Sequence, residues 1–413
     1  MSPTMQFLLV LAVIIVAAKI GGYISLRLGQ PSVLGELLVG LILGPSLLDF
    51  LHASFITDVH LSETIHNLAE VGVLLLMFIA GLSLHISDLV QSGKVSALAG
   101  TLGVVTPVAL GFIVGQAFGF GAEPALFIGL ILAATSVSIS AQTLMELKVL
   151  RSRVGISMLG AAVFDDILVV LGLSVFVALA GGGADNGGLG SVALIMVQMA
   201  LFLVIASVVG FLLLPTRLTR LVDRLPISEG LVAFVFVVIL FYSWAAEELG
   251  SMAAITGAFL AGLILARSPL RDRIEASTSA LAYGVFVPIF FVNIGLIANV
   301  RDLTSDGVAL LVAMAVVAVI SKVLGAGLGA RLGGLTNRES LQLGVGMMSR
   351  GEVGLIVATV GVDNGLINAE VFAAVVGVVI LTTLLTPLLL RSLFRGQTPA
   401  TQQVREISAG ETS

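Results

Sequence analysis

Cysteine is absent from the 413 residues, which excludes disulfides, thiolate metal sites and a cysteine nucleophile. Charge is scarce too. Asp, Glu, Lys and Arg make up 11% of the chain, against about 25% in soluble domains. The four histidines lack the close spacing of a zinc site, and no basic stretch suits nucleic acid. No cofactor is expected. The net charge of −5 is small for this length, so the distribution of charge matters more than its sum.

Apolar residues fill the space that charge leaves, at 58% of the chain. A membrane-crossing helix takes about 20 mostly apolar residues, so the excess reads as repeated spans in an all-α membrane protein. Met1 to Gln6 lacks the basic start of a signal peptide, and Phe7 to Leu26 is span-length, so it reads as the first span. Breaks of polar, Gly or Pro residues delimit thirteen apolar segments, centred near residues 16, 41, 75, 106, 134, 166, 202, 238, 259, 288, 319, 349 and 381.

Basic residues test that count. Alternate loops hold Arg27; Lys94; Lys148, Arg151 and Arg153; Arg217, Arg220 and Arg224; Arg267, Arg271 and Arg273; and Arg331 and Arg338. The tail adds Arg391, Arg395 and Arg405, whereas the intervening loops carry Arg301 alone. Sixteen basic residues thus face one side and one the other, while Lys19, Lys322 and Arg350 fall inside spans. Short cytoplasmic loops are enriched in Lys and Arg. The pattern places the C-terminus in the cytoplasm and the N-terminus outside.

Two ordered echoes suggest a duplication. Gly35 to Leu43 and Gly257 to Leu265 share the pattern G-x4-G-L-I-L. Gly81-Leu82 is followed by Asp88-Leu89 at the same interval as Gly295-Leu296 by Asp302-Leu303. Equivalent segments lie seven crossings apart, an odd number, so the copies are inverted. Inverted repeats are a secondary-transporter architecture, with the site near mid-membrane on discontinuous helices. Interruptions of that kind fall at corresponding places. Ala134 to Ser140 is rich in hydroxyls, and Gly344 to Gly354 is rich in glycine and contains Arg350 and Glu352. Unwound backbone there offers carbonyl and hydroxyl oxygens to a cation, provided that protein or water surrounds it.

An ionisable group deep in a span is a functional hypothesis by default. Asp165 and Asp166 lie mid-way along the sixth segment, pointing about 100° apart on a helix, so both reach one cavity. Burial favours a protonated carboxyl and a nearby cation favours the ionised form, so such a pair holds protons and releases them when a metal ion arrives. Hard oxygen ligands suit sodium, lithium or potassium. Lys322, mid-way along the eleventh segment, needs a counter-charge, and one of the aspartates is the natural partner. Arg350 and Glu352 are expected to neutralise one another or other groups in the break. Glu36 is an accessory carboxylate or a half-buried helix end. His52, His60 and His66 lie in or beside an outer loop, His85 is cytoplasmic, and Trp244 reads as an interfacial anchor.

With these residues in view, the chain resembles the monovalent cation:proton antiporter superfamily, in the branch of bacterial Asp-Asp-type sodium/proton antiporters and Kef-type potassium/proton transporters. The resemblance rests on Gln30-Pro31 through Gly35-Glu36, Ala134-Thr135-Ser136-Val137, Phe164-Asp165-Asp166, the stretch from Pro288 to Phe291, Lys322 to Gly325, and Arg350-Gly351-Glu352 through Ile356. It implies Asp166 as principal ion and proton carrier, Asp165 as partner of Lys322, Glu352 as a support near that lysine, and Thr135 and Ser136 at the ion site. It also implies a core domain at about 94–180 and 307–395, a dimerisation domain at about 5–90 and 228–300, a linker helix at about 190–214, and a homodimer working by an elevator-like motion. Paired aspartates with a lysine resemble the electrogenic sodium exchangers, whereas Kef-type relatives have Gln-Asp here.

A potassium/proton exchanger on the same scaffold, a channel, and an intramembrane aspartate protease are the competing readings. Adjacent aspartates argue against the protease, whose two carboxylates sit on different helices. The polar stretch 396–413 is too short to fold alone and reads as a disordered cytoplasmic tail.

Overall fold

A computed structural model describes residues 2–28, 30–58, 60–84, 86–180, 189–219, 229–297, 305–363 and 365–395. The expectations placed on Arg220, Arg224, Arg301, His85 and the tail 396–413 lie outside the described residues, as do the Asp302-Leu303 echo and the side chain of Glu352.

Every described element is helical. In chain order they are α1 (Pro3–Arg27), α2 (Ser32–Leu43), α3 (Leu61–Leu82), the short α4 (Ile86–Gln91), α5 (Gly93–Ala117), α6 (Ala122–Ala133), α7 (Val137–Glu146), α8 (Arg153–Ala180) and α9 (Leu189–Leu213). There follow α10 (Gly230–Glu248), α11 (Ala254–Leu265), α12 (Arg271–Leu281), α13 (Val287–Leu296), α14 (Ser305–Gly333), α15 (Asn337–Gly346), α16 (Glu352–Asp363) and α17 (Ala369–Phe394). A π-helical turn, Ala282–Phe286, joins α12 to α13.

Among the described residues, ten stretches are long and apolar enough to cross a membrane. The second and ninth expected spans are shorter, because α2 and α11 each have 12 residues and rise about 18 Å, less than the roughly 30 Å of a hydrocarbon core. The twelfth is divided at Met347 to Gly351. The fifth is divided too, where Ala134 to Ser136 separate α6 from α7.

The helices turn apolar side chains outward as well as inward, as membrane-embedded helices do. On α14, Val308, Val312, Val316, Ile320, Leu324, Leu328 and Leu332 form an exposed stripe at a spacing of four residues. A neighbouring face, one residue or about 100° round the helix, carries Gly325, Gly329 and Gly333, against which α5 lies backbone to backbone. A methyl at Gly329 would sit 2.2 Å from the Leu98 carbonyl oxygen, and one at Gly325 2.4 Å from that of Leu102. Small residues permit this approach where no hydrophobic effect draws helices together. Gly329→Ala is therefore expected to force α5 from α14 and destabilise the fold by about 1–3 kcal/mol, as overpacking does. Leu324→Ala, at a position 58% exposed on the lipid-facing stripe, is expected to change the melting temperature in detergent far less.

The glycines of the two sequence echoes pack in matching ways. In α2, Gly35 meets Gly21 of the preceding helix and Gly40 meets the Val292 carbonyl of α13. In α11, Gly257 meets the Tyr242 carbonyl of the preceding helix and Gly262 meets the Phe78 carbonyl of α3. Gly81 and Gly295 return these contacts, the first to α11 at Phe259, the second to α2 at Gly40. Around α3, the basic loops act as helix caps: Arg271 donates to the Leu82 carbonyl at 3.1 Å and Arg151 to that of Ser83 at 2.8 Å.

Candidate functional site

The two helix interruptions meet. Ser136 N–H donates to the Ser349 carbonyl at 2.9 Å, and the Ser349 hydroxyl donates to the Ser136 carbonyl at 2.5 Å. Ser140 adds a bond to the Gly346 carbonyl at 2.5 Å. A methyl at Gly351 would lie 2.6 Å from the Ser136 hydroxyl oxygen, so glycine is what lets the breaks touch. Helix ends buried in this way leave carbonyls and amides without helical partners, and these cross-bonds satisfy part of them.

Arg350 satisfies more. Its guanidinium is buried and donates to the Ala134 carbonyl at 3.2 Å, the Thr135 hydroxyl at 3.4 Å and the Ala318 carbonyl of α14 at 3.1 Å. A cation over the C-terminal carbonyls of α6 also opposes that helix's dipole. The residue is fixed by its backbone as well: its N–H donates to Thr382 and its carbonyl accepts from Thr383, at 3.1 and 2.8 Å. Sequence reasoning looked for carboxylates around Arg350 and missed carbonyls, which carry no residue-type signal. The Thr382-Thr383 pair on α17 was a missed clue, being two adjacent hydroxyls in an otherwise apolar run. Arg350→Met, which removes three donors and strands those acceptors, is expected to reduce insertion-competent protein sharply. Size-exclusion recovery of a fluorescent fusion, compared with Arg350→Lys, measures that loss.

Asp165 and Asp166 sit on α8 beside the breaks. Lys322 on α14 is wholly buried, with its ammonium 2.5 Å from Asp165 Oδ1. Asp165 Oδ2 makes no hydrogen bond, and Thr135 and Arg350 both lie within its electrostatic reach. Asp166, on the next position of the helix, is buried to 8% exposure. Two glycines of α5 line this junction. Gly100 packs on Phe164 and the Ala161 carbonyl, and a methyl at Gly103 would stand 3.7 Å from the Lys322 nitrogen and 3.3 Å from the Ala326 Cβ. The result is a buried, crowded centre holding an ion pair, a second carboxylate and a guanidinium held by hydrogen bonds, with hydroxyls of Thr135, Ser136 and Ser138 alongside. Buried carboxylates among oxygen donors are chemically suited to a proton or a small cation, with either charge kept away from lipid.

The remaining candidates are dispersed. His52 pairs with Asp49 at 2.6 Å, His60 approaches Glu63 at 3.6 Å, and His66 lies between Glu70 at 3.4 Å and Asn293 at 3.2 Å. Trp244 is exposed and stacks on Phe241 at 5.7 Å between centroids. Lys19 donates to the Tyr283 carbonyl at 2.6 Å, and Glu36 is buried.

Comparison with known proteins bears on this arrangement. A family model described as sodium/hydrogen exchanger, transmembrane, matches residues 12–396. GerN of Bacillus cereus, a Na+/H+-K+ antiporter, is 37% identical over 374 residues, which are 89% of this chain and 91% of that protein. A Na+/H+ antiporter of Enterococcus hirae is 35% identical over 369 residues, 89% of this chain and 93% of its own. The sodium proton antiporter MjNhaP1 from Methanocaldococcus jannaschii shares the fold, with a TM-score of 0.67 at 19% identity over 95% of this chain and 98% of that one. With nearly its whole length matched by the family, the chain belongs to the sodium/hydrogen exchangers, integral membrane antiporters that move cations against protons.

Proposed function

We propose that this chain exchanges sodium, and also lithium, for protons across the cell membrane, with Asp166 as the carrier of the ion and the proton. The observation that carries the reading is the buried Lys322–Asp165 pair set beside two interrupted helices, with Asp166 one residue on. Sodium is favoured over potassium because the relatives are named for Na+, GerN adding K+. Thr135 and Ser136 complete the oxygen set around the cation, and Arg350 holds the breaks in register. Glu352 keeps the supporting role that the family resemblance implies.

In this proposal α5–α8 and α14–α17 form the transport core, α1–α3 and α10–α13 form the scaffold, and α9 links them. The matching glycine contacts of α2 and α11 support a repeat, and the one-sided basic residues support thirteen crossings, hence inverted copies, with the N-terminus outside and the C-terminus cytoplasmic. The core shifts against the scaffold as a lift does, and exchange is electrogenic. The homodimer rests on the family resemblance. A carrier fits better than a channel or an enzyme, because the helix ends beside the charge centre are cross-bonded to each other and the relatives are named antiporters. A pH-gradient assay in everted vesicles tests the reading, with sodium, lithium and potassium added in turn. Dissipation by sodium and lithium is expected. Dissipation by potassium alone would replace sodium as substrate, and dissipation by none would reject exchange.

A further inference from the structure

Glu146 ends α7 on the side of the basic loops, and both of its oxygens are occupied. Oε2 accepts from the Ser32 N–H at 2.7 Å, and Oε1 accepts from the Ser32 hydroxyl at 2.5 Å and from Gln142 Nε2 at 2.8 Å. These bonds tie the end of α7, a core helix in the reading above, to the start of α2, a scaffold helix. One turn back along α7 from Glu146 stands Gln142, and one further turn back stands Ser138, which bonds Ser136 in the break at 3.0 Å. Residues four apart share a helix face. Glu146, Gln142 and Ser138 therefore make a polar file running from the basic side to the interruption beside Asp165 and Asp166.

One atom along this file is unsatisfied. Gln142 is 6% exposed, and its Oε1 is enclosed without a hydrogen-bond partner. Its amide nitrogen is already bound to Glu146, so the free oxygen of the same planar group lies next to that carboxylate. Glu36 on α2 is also 6% exposed. Glu146 and Lys19 are the charges facing it. Lys19 is exposed and spends a donor on the Tyr283 carbonyl. An enclosed acceptor without a donor, as at Gln142 Oε1, is costly unless a cation or proton visits it.

We infer that Gln142, Glu146 and Glu36 form a second, transient site for an alkali cation, through which the ion reaches Asp166 from the basic face. The site rests on the exchange reading and adds a place on the path. In this structure Ser32 occupies Glu146 and closes the mouth. Withdrawal of α2 from α7 frees two carboxylate oxygens and leaves the Gln142 oxygen facing the same space. Carboxylate and amide oxygens are the hard ligands that a monovalent cation takes while shedding water.

The test is the sidedness of sodium affinity. Sodium-driven proton movement is measured in right-side-out and in everted vesicles, so that sodium is presented to one face at a time. Gln142→Met keeps the volume of the side chain and removes its oxygen, and Glu146→Gln keeps the shape and removes the charge. Each is expected to raise the apparent KM for sodium from the basic face about tenfold, the value of one lost charge-assisted contact, with KM from the opposite face unchanged. A merely structural role would shift both faces together or lower kcat alone. An equal rise from both faces, or no rise from the basic face in either variant, would overturn the site while leaving exchange intact. Wild-type vesicles without saturable sodium-driven proton movement from either face would overturn the site together with the exchange reading.

Discussion

Asp166→Asn is expected to reduce sodium-driven proton movement to the background of empty vesicles while the protein still folds and inserts. The asparagine keeps the shape and one oxygen but neither binds a proton nor balances a cation. A buried charge deprived of its partner costs about 3–5 kcal/mol, or roughly two to three and a half decades of cation affinity. Lys322 is already paired with Asp165 at 2.5 Å, so Asp165 has no free charge to offer in its place. Everted vesicles loaded with a pH-sensitive dye give the measurement, with membrane insertion checked on the same preparation. Exchange near the wild-type rate would remove Asp166 from the carrier role.

Lys322→Gln is expected to inactivate the protein or to leave exchange that no longer responds to membrane potential. The ammonium and Asp165 offset part of each other's desolvation, so removing either strands the other in a fully buried place. If cation binding at the aspartates breaks the pair, Lys322 gives up a proton in each cycle, and that proton makes the exchange electrogenic. Moving one net charge is worth about 2.3 kcal/mol per 100 mV. Proteoliposomes clamped with potassium and valinomycin separate the cases. Wild-type flux should follow the imposed potential, whereas residual flux through Lys322→Gln should ignore it. The double variant Lys322→Gln, Asp165→Asn should melt higher than Lys322→Gln alone, since it leaves no orphan charge. A Lys322→Gln protein with full potential dependence would defeat the proton role of the lysine.

Helix content was legible because apolar runs broken by Gly, Pro and charge have few other solutions in a membrane. Length was less legible: α2 and α11 stop after 12 residues, where tight glycine contacts hold them, and hydropathy says nothing of where a neighbour's backbone lies. The breaks could be read from Thr135, Ser136 and Gly351, since those residues weaken a helix locally. Their reciprocal bonding could not, because Ser136 and Ser349 are joined only through the fold. Electrostatics demands that one aspartate face Lys322, but helical phase does not choose, and the structure sets Asp165 there. Arg350 was harder, for its acceptors are backbone carbonyls of Ala134 and Ala318, invisible in any residue pattern. Glu146 gave no signal either, lying at a loop edge where a solvated carboxylate is the ordinary case.

Gly103 carries one more implication, for how such a protein drifts over generations. Along the α5–α14 contact a side chain at Gly325 or Gly329 collides with carbonyl backbone, so lineages cannot explore those positions without rebuilding the pair. At Gly103 an added methyl meets the Ala326 methyl first, at 3.3 Å, and then the Lys322 nitrogen at 3.7 Å, a crowding that a shift of a few tenths of an ångström relieves. A single inherited change from glycine to alanine is therefore open to selection at the one place on this seam that touches the ammonium. It would crowd the Lys322 ammonium without adding a charge, letting descendants retune the working range of the carrier while the helices around it stay frozen.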